Sequence, residues 1–303
     1  MALEELRADA EVGPPRLLNH SKIEGYALAL VVMVLYLATP AATAEDLPTS
    51  RGDDALGVGI VVLNEHGVGN ASLSQPYLDQ MVAIAATQNN WGAARGQYCT
   101  SRSAAEVFIR SQAPHYGIFS LAAFLAMRRS YRLEVIGTVE VSLVGGRQYH
   151  VISQEAANLD ACRGRTLATN HGDDPRFVNR IVLAGASKLA DFTLVETQRP
   201  LLTIKKVLTG EAECALIDEA QLAELPHIEG AEGIRSIWNS QELPPMVVVA
   251  FPAAPRSEKQ EFRKNLPHVC DGDGRGVCAA VGIISLKPAT GSPYAAVVAA
   301  YGP

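Results

Sequence analysis

Thr169-Asn170-His171-Gly172-Asp173-Asp174-Pro175 places an imidazole two and three residues from carboxylates. Such a set can bind a divalent metal, and metal-dependent chemistry using His171 and Asp173 is what it would support if further ligands came from elsewhere. The same residues also spell a helix start. Asp174 can accept free N–H groups as an N-cap, and Pro175 fits the first helical position, where its missing N–H costs nothing. A turn and cap is the commoner fate of this pattern, so no metal is expected. Elsewhere the signatures H-E-x-x-H, G-x-S-x-G and G-x-x-x-x-G-K-[ST] are absent, and no catalytic residue is assigned. Gly67-Val68-Gly69-Asn70-Ala71-Ser72 has the strand-to-helix context of a dinucleotide fingerprint. Gln88, Asn89 and Asn90 stand where the ribose-binding acid belongs, so the segment reads as a ligand or hinge-side loop and no cofactor is expected. Asp271 and Asp273 begin like a calcium loop, but Arg275 and Gly282 occupy positions that need oxygen ligands.

These candidates sit in a chain of 303 residues with 48% hydrophobic side chains, enough to bury a large core and to exclude a disordered chain or a miniprotein. A net charge of −6 supplies no concentrated basic face, which argues against nucleic acid as a partner. Gly25 to Ala44 carries no charge, is centred on an apolar run from Ala27 to Leu37, and ends in Ala42-Thr43-Ala44 before Glu45. Residues 1–44 are therefore expected to be a secretory signal peptide with a long n-region, cleaved near Ala44, giving a periplasmic or secreted protein. An uncleaved anchor is the alternative. Of five cysteines, Cys270 and Cys278 bracket a glycine-rich turn and are expected to form a disulfide, while Cys99, Cys162 and Cys214 read as buried thiols.

The elements that must position the candidates follow from periodicity. The continuous apolar run 57–63 is a buried strand ending at Asn64-Glu65-His66. Leu78, Met81, Val82 and Ala85 mark one face of a helix capped at Ser74 with Pro76 in its first turn, and Ser103 to Glu106 forms a capping box for the next. Strands are expected at 116–119, 133–141, 148–153, 192–195, 214–218, 234–238 and 246–251. Helices are expected after Ser120, Asp174 and Pro200 and over 257–266. This β–α alternation predicts an α/β fold in which mostly parallel sheets are covered by helices.

Leu159-x-x-Cys162-Arg163-Gly164-Arg165-Thr166-Leu167-Ala168 resembles the segment that opens the second lobe of type II periplasmic solute-binding proteins. Gly210-Glu211-Ala212-Glu213-Cys214-Ala215-Leu216-Ile217-Asp218 resembles a second motif of that family, and 245–251 looks like its strand returning to the first lobe. The pattern is most similar to the phosphate, phosphite and phosphonate branch of ABC-transporter receptors. The resemblance implies a two-lobed type II fold, with 45–140 plus 239–303 as lobe one, 141–238 as lobe two, and a hinge near Val139–Ser142 and Ile237–Ser240. It further implies a small polar ligand such as a phosphorus oxyanion, and a monomer that serves the permease of an ABC transporter or, in the same fold, a sensor kinase. That branch carries a hydroxyl-rich turn at the first helix of lobe two, whereas this chain has Asp173 and Asp174 there.

Ligands of open α/β sheets bind beyond the carboxyl ends of strands. That rule selects Asn64, Glu65, His66, Tyr98, Thr100, Ser101 and Ser120 in lobe one. In lobe two it selects Thr169, Asn170, His171, Asp173, Arg199 and Asp218, with Gln198 beside Arg199. Arg199 is the one cationic clamp expected. Ser120 and Asp174 can equally be helix caps, and Asp218 a strand-end residue.

Overall fold

A computed structural model describes residues 57–66, 71–142 and 145–303. The expected signal peptide and most of the Gly67–Ser72 loop lie outside the described residues. The chain opens with β1 (Val58–Leu63), α1 (Ala71–Gln88), β2 (Ala94–Cys99), α2 (Arg102–Gln112), β3 (Tyr116–Phe119), α3 (Leu121–Met127) and β4 (Glu134–Val141). It continues through β5 (Tyr149–Ser153), β6 (Thr166–Thr169), α4 (Pro175–Phe177) extended by a π turn over Val178–Val182, β7 (Thr193–Glu196), α5 (Pro200–Leu208), β8 (Cys214–Asp218), α6 (Glu219–Glu224) and β9 (Arg235–Asn239). It closes with β10 (Met246–Ala250), α7 (Arg256–Asn265), α8 (Gly274–Ala280), β11 (Ile283–Pro288) and α9 (Ala295–Tyr301).

Two sheets result, a six-stranded one in the order β11-β4-β10-β3-β1-β2 and a five-stranded one in the order β7-β6-β8-β5-β9. This is the two-lobed α/β fold of type II binding proteins. The chain passes from the first sheet to the second between β4 and β5 and returns between β9 and β10, so each lobe contains a strand delivered by a crossing. Those strands run against their neighbours: β10 is antiparallel to β3 and β4, and β5 to β8 and β9. The sheets are consequently mixed where mostly parallel ones were expected; parallel pairing is confined to β1 with β2 and β3, and β6 with β7 and β8.

The apolar runs explain the layers. Every residue of β1, β3, β8 and β10 is buried, as strands covered on both faces must be. The α1 face built from Leu78, Met81, Val82 and Ala85 is buried as its spacing predicts, although the helix begins at Ala71, ahead of the expected Ser74 cap. Pro76 is the sixth residue of the helix, beyond the first four whose N–H groups have no helical partner, so it forfeits one backbone hydrogen bond of the helix. The cap of α2 is Ser101, whose hydroxyl accepts from Ala104 N, and not Ser103. One core joins the lobes, running from Val61, Phe119 and Leu125 to Tyr149, Val151, Phe177 and Val178. Fully burying each such large side chain contributes about 1.5–3 kcal/mol.

Two disulfides are present. Cys270 and Cys278 pair across eight residues, with Cys278 inside α8. Cys162 and Cys214, expected as separate thiols, form a second bridge between the lead-in to β6 and the start of β8. Parallel pairing of β6 with β8 aligns Leu167 with Cys214, which brings the turn before β6 within reach of it. Cys99 is a buried free thiol.

Candidate functional site

Loops at the strand ends of both sheets meet along one cleft. Its outer part is a groove of about 900 Å³ lined by Glu65, His66, Thr100 and Ser101 from lobe one and by Thr169, Asn170, Asp173, Gln198 and Arg199 from lobe two. The inner end is a cavity of about 20 Å³, lined by Asn64, Glu65, His66 and Ser120 against Tyr149, His171 and Asp218. That is about the room one water needs. Twelve of the thirteen residues selected from sequence thus share the cleft. Tyr98 does not: β2 turns its ring into lobe one, where it borders an apolar gap with Leu78 and Met81.

At the outer end the lobes are joined by charge. His66 Nε2 lies 3.1 Å from Asp173 Oδ1. Burial works against a charged His66, but the hydrogen bond and field of Asp173, aided by Glu65, outweigh it and raise its pKa. Asp173 answers in kind: burial would raise its pKa, and His66 and then Arg102 bring it below the usual value. His66 holds this place with a left-handed backbone, φ 63°.

Arg102, which sequence reasoning overlooked in naming Arg199 the sole cationic clamp, is the centre of the second link. Its guanidinium donates to both oxygens of Glu65 at 2.9 Å and to Asp174 Oδ2 across the cleft at 3.3 Å. Burial opposes its charge, yet Glu65 and the two aspartates raise its pKa further above the usual arginine range. A signal for it was available, because Arg102 is the first residue of α2, where the helix dipole disfavours a cation unless carboxylates hold it. Asp174 performs three tasks. It caps α4 through Phe177 N at 2.9 Å, receives Arg102, and accepts the Tyr301 hydroxyl at 3.1 Å. Arg199 lies exposed at the groove as the residue before α5, and makes no ion pair among the described residues.

The inner end is neutral in character. His171 is 3% exposed and packs edge-on against His66 and Tyr149, with ring centres at 4.8 and 5.1 Å. Burial, and then the field of His66, push its pKa down to about 3, so it stands as a neutral imidazole. Its Nε2 lies 3.4 Å from Gln221 Oε1, and Gln221 also donates to Asn170 Oδ1 at 3.3 Å. Burial raises the Tyr149 phenol well above its usual pKa. Asp218 is the N-cap of α6, in a reciprocal box with Gln221, and its carboxyl is pushed up to about 7 by burial. Gly145 and Gly146, both with positive φ, carry the crossing chain past it; a Cβ on Gly145 would collide with Asp218 Oδ2. Ser120 caps α3 by accepting from Ala123 N at 3.3 Å.

Among the described residues no group of three or more His, Cys, Asp or Glu side chains is placed to hold a metal ion. Asp173 faces His66, and His171 faces Gln221, so the pair does not converge on a common point. What the cleft offers is polar recognition: paired charges at its mouth and buried neutral donors and acceptors at its floor.

The arrangement defines a class, the two-lobed type II binding-protein fold. No family model matches the chain, and no curated protein is similar to it in sequence. Solved structures share its fold. A binding-protein component of an ABC phosphonate transporter from Pseudomonas aeruginosa matches with a TM-score of 0.59 at 12% identity, over 80% of this chain and 84% of that one. A Prochlorococcus marinus protein in complex with methylphosphonate matches with a TM-score of 0.59 at 10% identity, over 79% and 95%. A Xanthomonas citri protein bound to ATP matches with a TM-score of 0.60 at 13% identity, over 80% and 96%.

Proposed function

We propose that this chain is an extracytoplasmic solute-binding protein that closes on a small polar ligand between its lobes and delivers it to the permease of an ABC transporter. One observation carries the reading. The contacts that close the cleft mouth, His66 with Asp173 and Arg102 with Asp174, are polar groups that a bound solute can replace or bridge. A ligand that bridges both walls favours the closed state by its differential affinity for closed over open. Two disulfides support an oxidising compartment. Val139–Ser142 and Ile237–Ser240, at the ends of β4 and β9 where the chain leaves one sheet for the other, are assigned the bending.

The fold likeness brings phosphonate and related oxyanions forward as ligands. Cleft charge orders them differently. Four carboxylates, Glu65, Asp173, Asp174 and Glu196, stand against Arg102, Arg199 and His66; Arg102 is already engaged by Glu65 and Asp174, and His66 by Asp173. A solute bearing an ammonium group, alone or as a zwitterion, meets this balance better than a dianion, which would have to take Arg102 from its carboxylates. The test is the melting temperature of the protein against amines, amino acids, aminophosphonates, phosphate, phosphite, alkylphosphonates and sulfonates. A true ligand at a hundred times its Kd stabilises by about 2.7 kcal/mol. If no compound moves the transition, the receptor reading fails; if only dianions do, the charge ranking fails.

A further inference from the structure

The last helix crosses between lobes. Tyr294, just ahead of α9, is fully buried in lobe one: its hydroxyl donates to Met246 O at 3.1 Å and its ring meets Phe124 at 5.6 Å. Seven residues later α9 ends on lobe two. There Arg180 donates to Tyr301 O at 2.9 Å, Arg176 donates to Pro303 O at 2.6 Å, and the Arg176 guanidinium lies 5.3 Å from the Tyr301 ring centre. The Tyr301 hydroxyl completes the contact on Asp174, the same carboxylate that receives Arg102 from lobe one. Val297 and Val298 join the apolar core that contains Phe177 and Val178.

We propose that α9 is a strap whose Tyr301 end latches lobe two in the closed position, so that the cleft opens only when the Tyr301–Asp174–Arg102 contact is released. The geometry gives the physical reason. Any parting of the lobes at the cleft mouth separates Arg102 from Asp174. Because α9 is fixed in lobe one at Tyr294, the same motion pulls Tyr301 from Asp174 and its carbonyl from Arg180. Burial, with Asp174 close by, raises the Tyr301 pKa, which keeps the donor protonated. The strap adds a third link to the two chain crossings, and this one is reversible. It explains why one carboxylate serves a cap, an interlobe ion pair and the C-terminal tyrosine at once.

The experiment needs no ligand. Spin labels on cysteines placed at the exposed positions Ser111 on α2 and Lys205 on α5 report the distance between lobes; a second pair, at Lys205 and Glu229, reports within lobe two. Tyr301→Phe removes only the hydroxyl, and Arg176→Met with Arg180→Met removes the carbonyl contacts. A hydrogen bond to a charged acceptor contributes enough that Tyr301→Phe should raise the open-to-closed ratio about tenfold. The proposal predicts a longer interlobe population in both variants and an unchanged pair within lobe two. Interlobe distances identical to those of the native chain would overturn it. So would equal changes in both label pairs, because α9 would then brace lobe two internally and not tie it to lobe one.

Discussion

At the inner end of the cleft His171, Tyr149 and Asp218 are almost fully buried, and burial drives each toward its neutral form. Some residues away, Glu65, Arg102, Asp173, Asp174 and His66 stand as ion pairs across or along the mouth. The same loops supply both ends, since residues 64–66 and 169–174 contribute to each. Opposite charge accounts for the difference. Glu65 and Asp174 at the mouth are buried as well, but Arg102 stands against both, whereas at the floor taking a charge out of water costs more than any partner present returns. Protons at the floor are therefore reassigned. Between about pH 4 and 6.5 an unfolded chain carries its proton on the His171 imidazole and the folded protein carries it on Asp218, so this pocket contributes almost no pH dependence in that range.

Replacing Asp218 by Asn breaks this balance with the largest expected effect. The native carboxyl has its pKa raised from 3.8 to about 7, so its burden on stability is absent below pH 3.8, grows as pH rises, and is complete above about 7. Asn remains a good N-cap and never ionises. Denaturant unfolding of Asp218→Asn at pH 8 should show a gain on the order of 4 kcal/mol that vanishes by pH 3. The variant should also lose stability as pH falls below 6.5, because His171 must then resist protonation unaided. A gain independent of pH would mean that the floor tolerates the carboxylate.

Asp174→Ala at the mouth removes a helix cap and the contacts to Arg102 and Tyr301, and should cost about 2–3 kcal/mol in the same measurement. Asp174→Asn, which keeps the cap, should recover about half of that loss. Equal losses in the two variants would show that the cap contributes nothing.

Asp173→Asn tests the more exposed pair. Its side chain is 58% accessible, so the cost should stay below about 1 kcal/mol. The pair's contribution is complete between pH 3.8 and 6.5, the unfolded values of the two groups; it is lost as pH falls through the lowered Asp173 pKa and as pH climbs through the raised His66 value. A pH titration should accordingly find the difference between native and variant gone at alkaline pH. Arg199→Ala, with no ion pair to lose among the described residues, should shift stability by less than about 0.5 kcal/mol. A larger shift would reveal a partner at the groove.

Much of this was legible along the chain. The i, i+3, i+4, i+7 face of α1, the buried runs of β1 and β10, and the Asp174-Pro175 start all depend on local spacing, and they fold as that spacing requires. Strand β2 was missed because Ala94-Arg95-Gly96-Gln97-Tyr98-Cys99 lies at a half-exposed sheet edge and shows neither an apolar run nor a clear alternation. Short α6, α8 and α9 and strand β11 escaped for a related reason: α9 is all Ala, Val and Tyr, without polar positions to reveal a period. The second disulfide and the partners of Arg102 lie further out of reach. Cys162 and Cys214 are 52 residues apart, and Arg102 reaches Asp174 across 72, so only the packing of two sheets brings them together. Among the site residues, the strand-end rule found the loops, but it could not tell Tyr98, turned into the lobe, from Thr100, turned toward the groove.

Gly145 runs so near the Asp218 carboxyl that a Cβ there would collide with it, although it belongs to the connector between the two sheets. Anyone building chimeras by exchanging one lobe for another would cut the chain near this point. The graft has to carry residues 145–149 with the incoming lobe, because a donor connector with any side chain at position 145 would push Asp218 out of place. The linker is in that sense part of the cleft's wall.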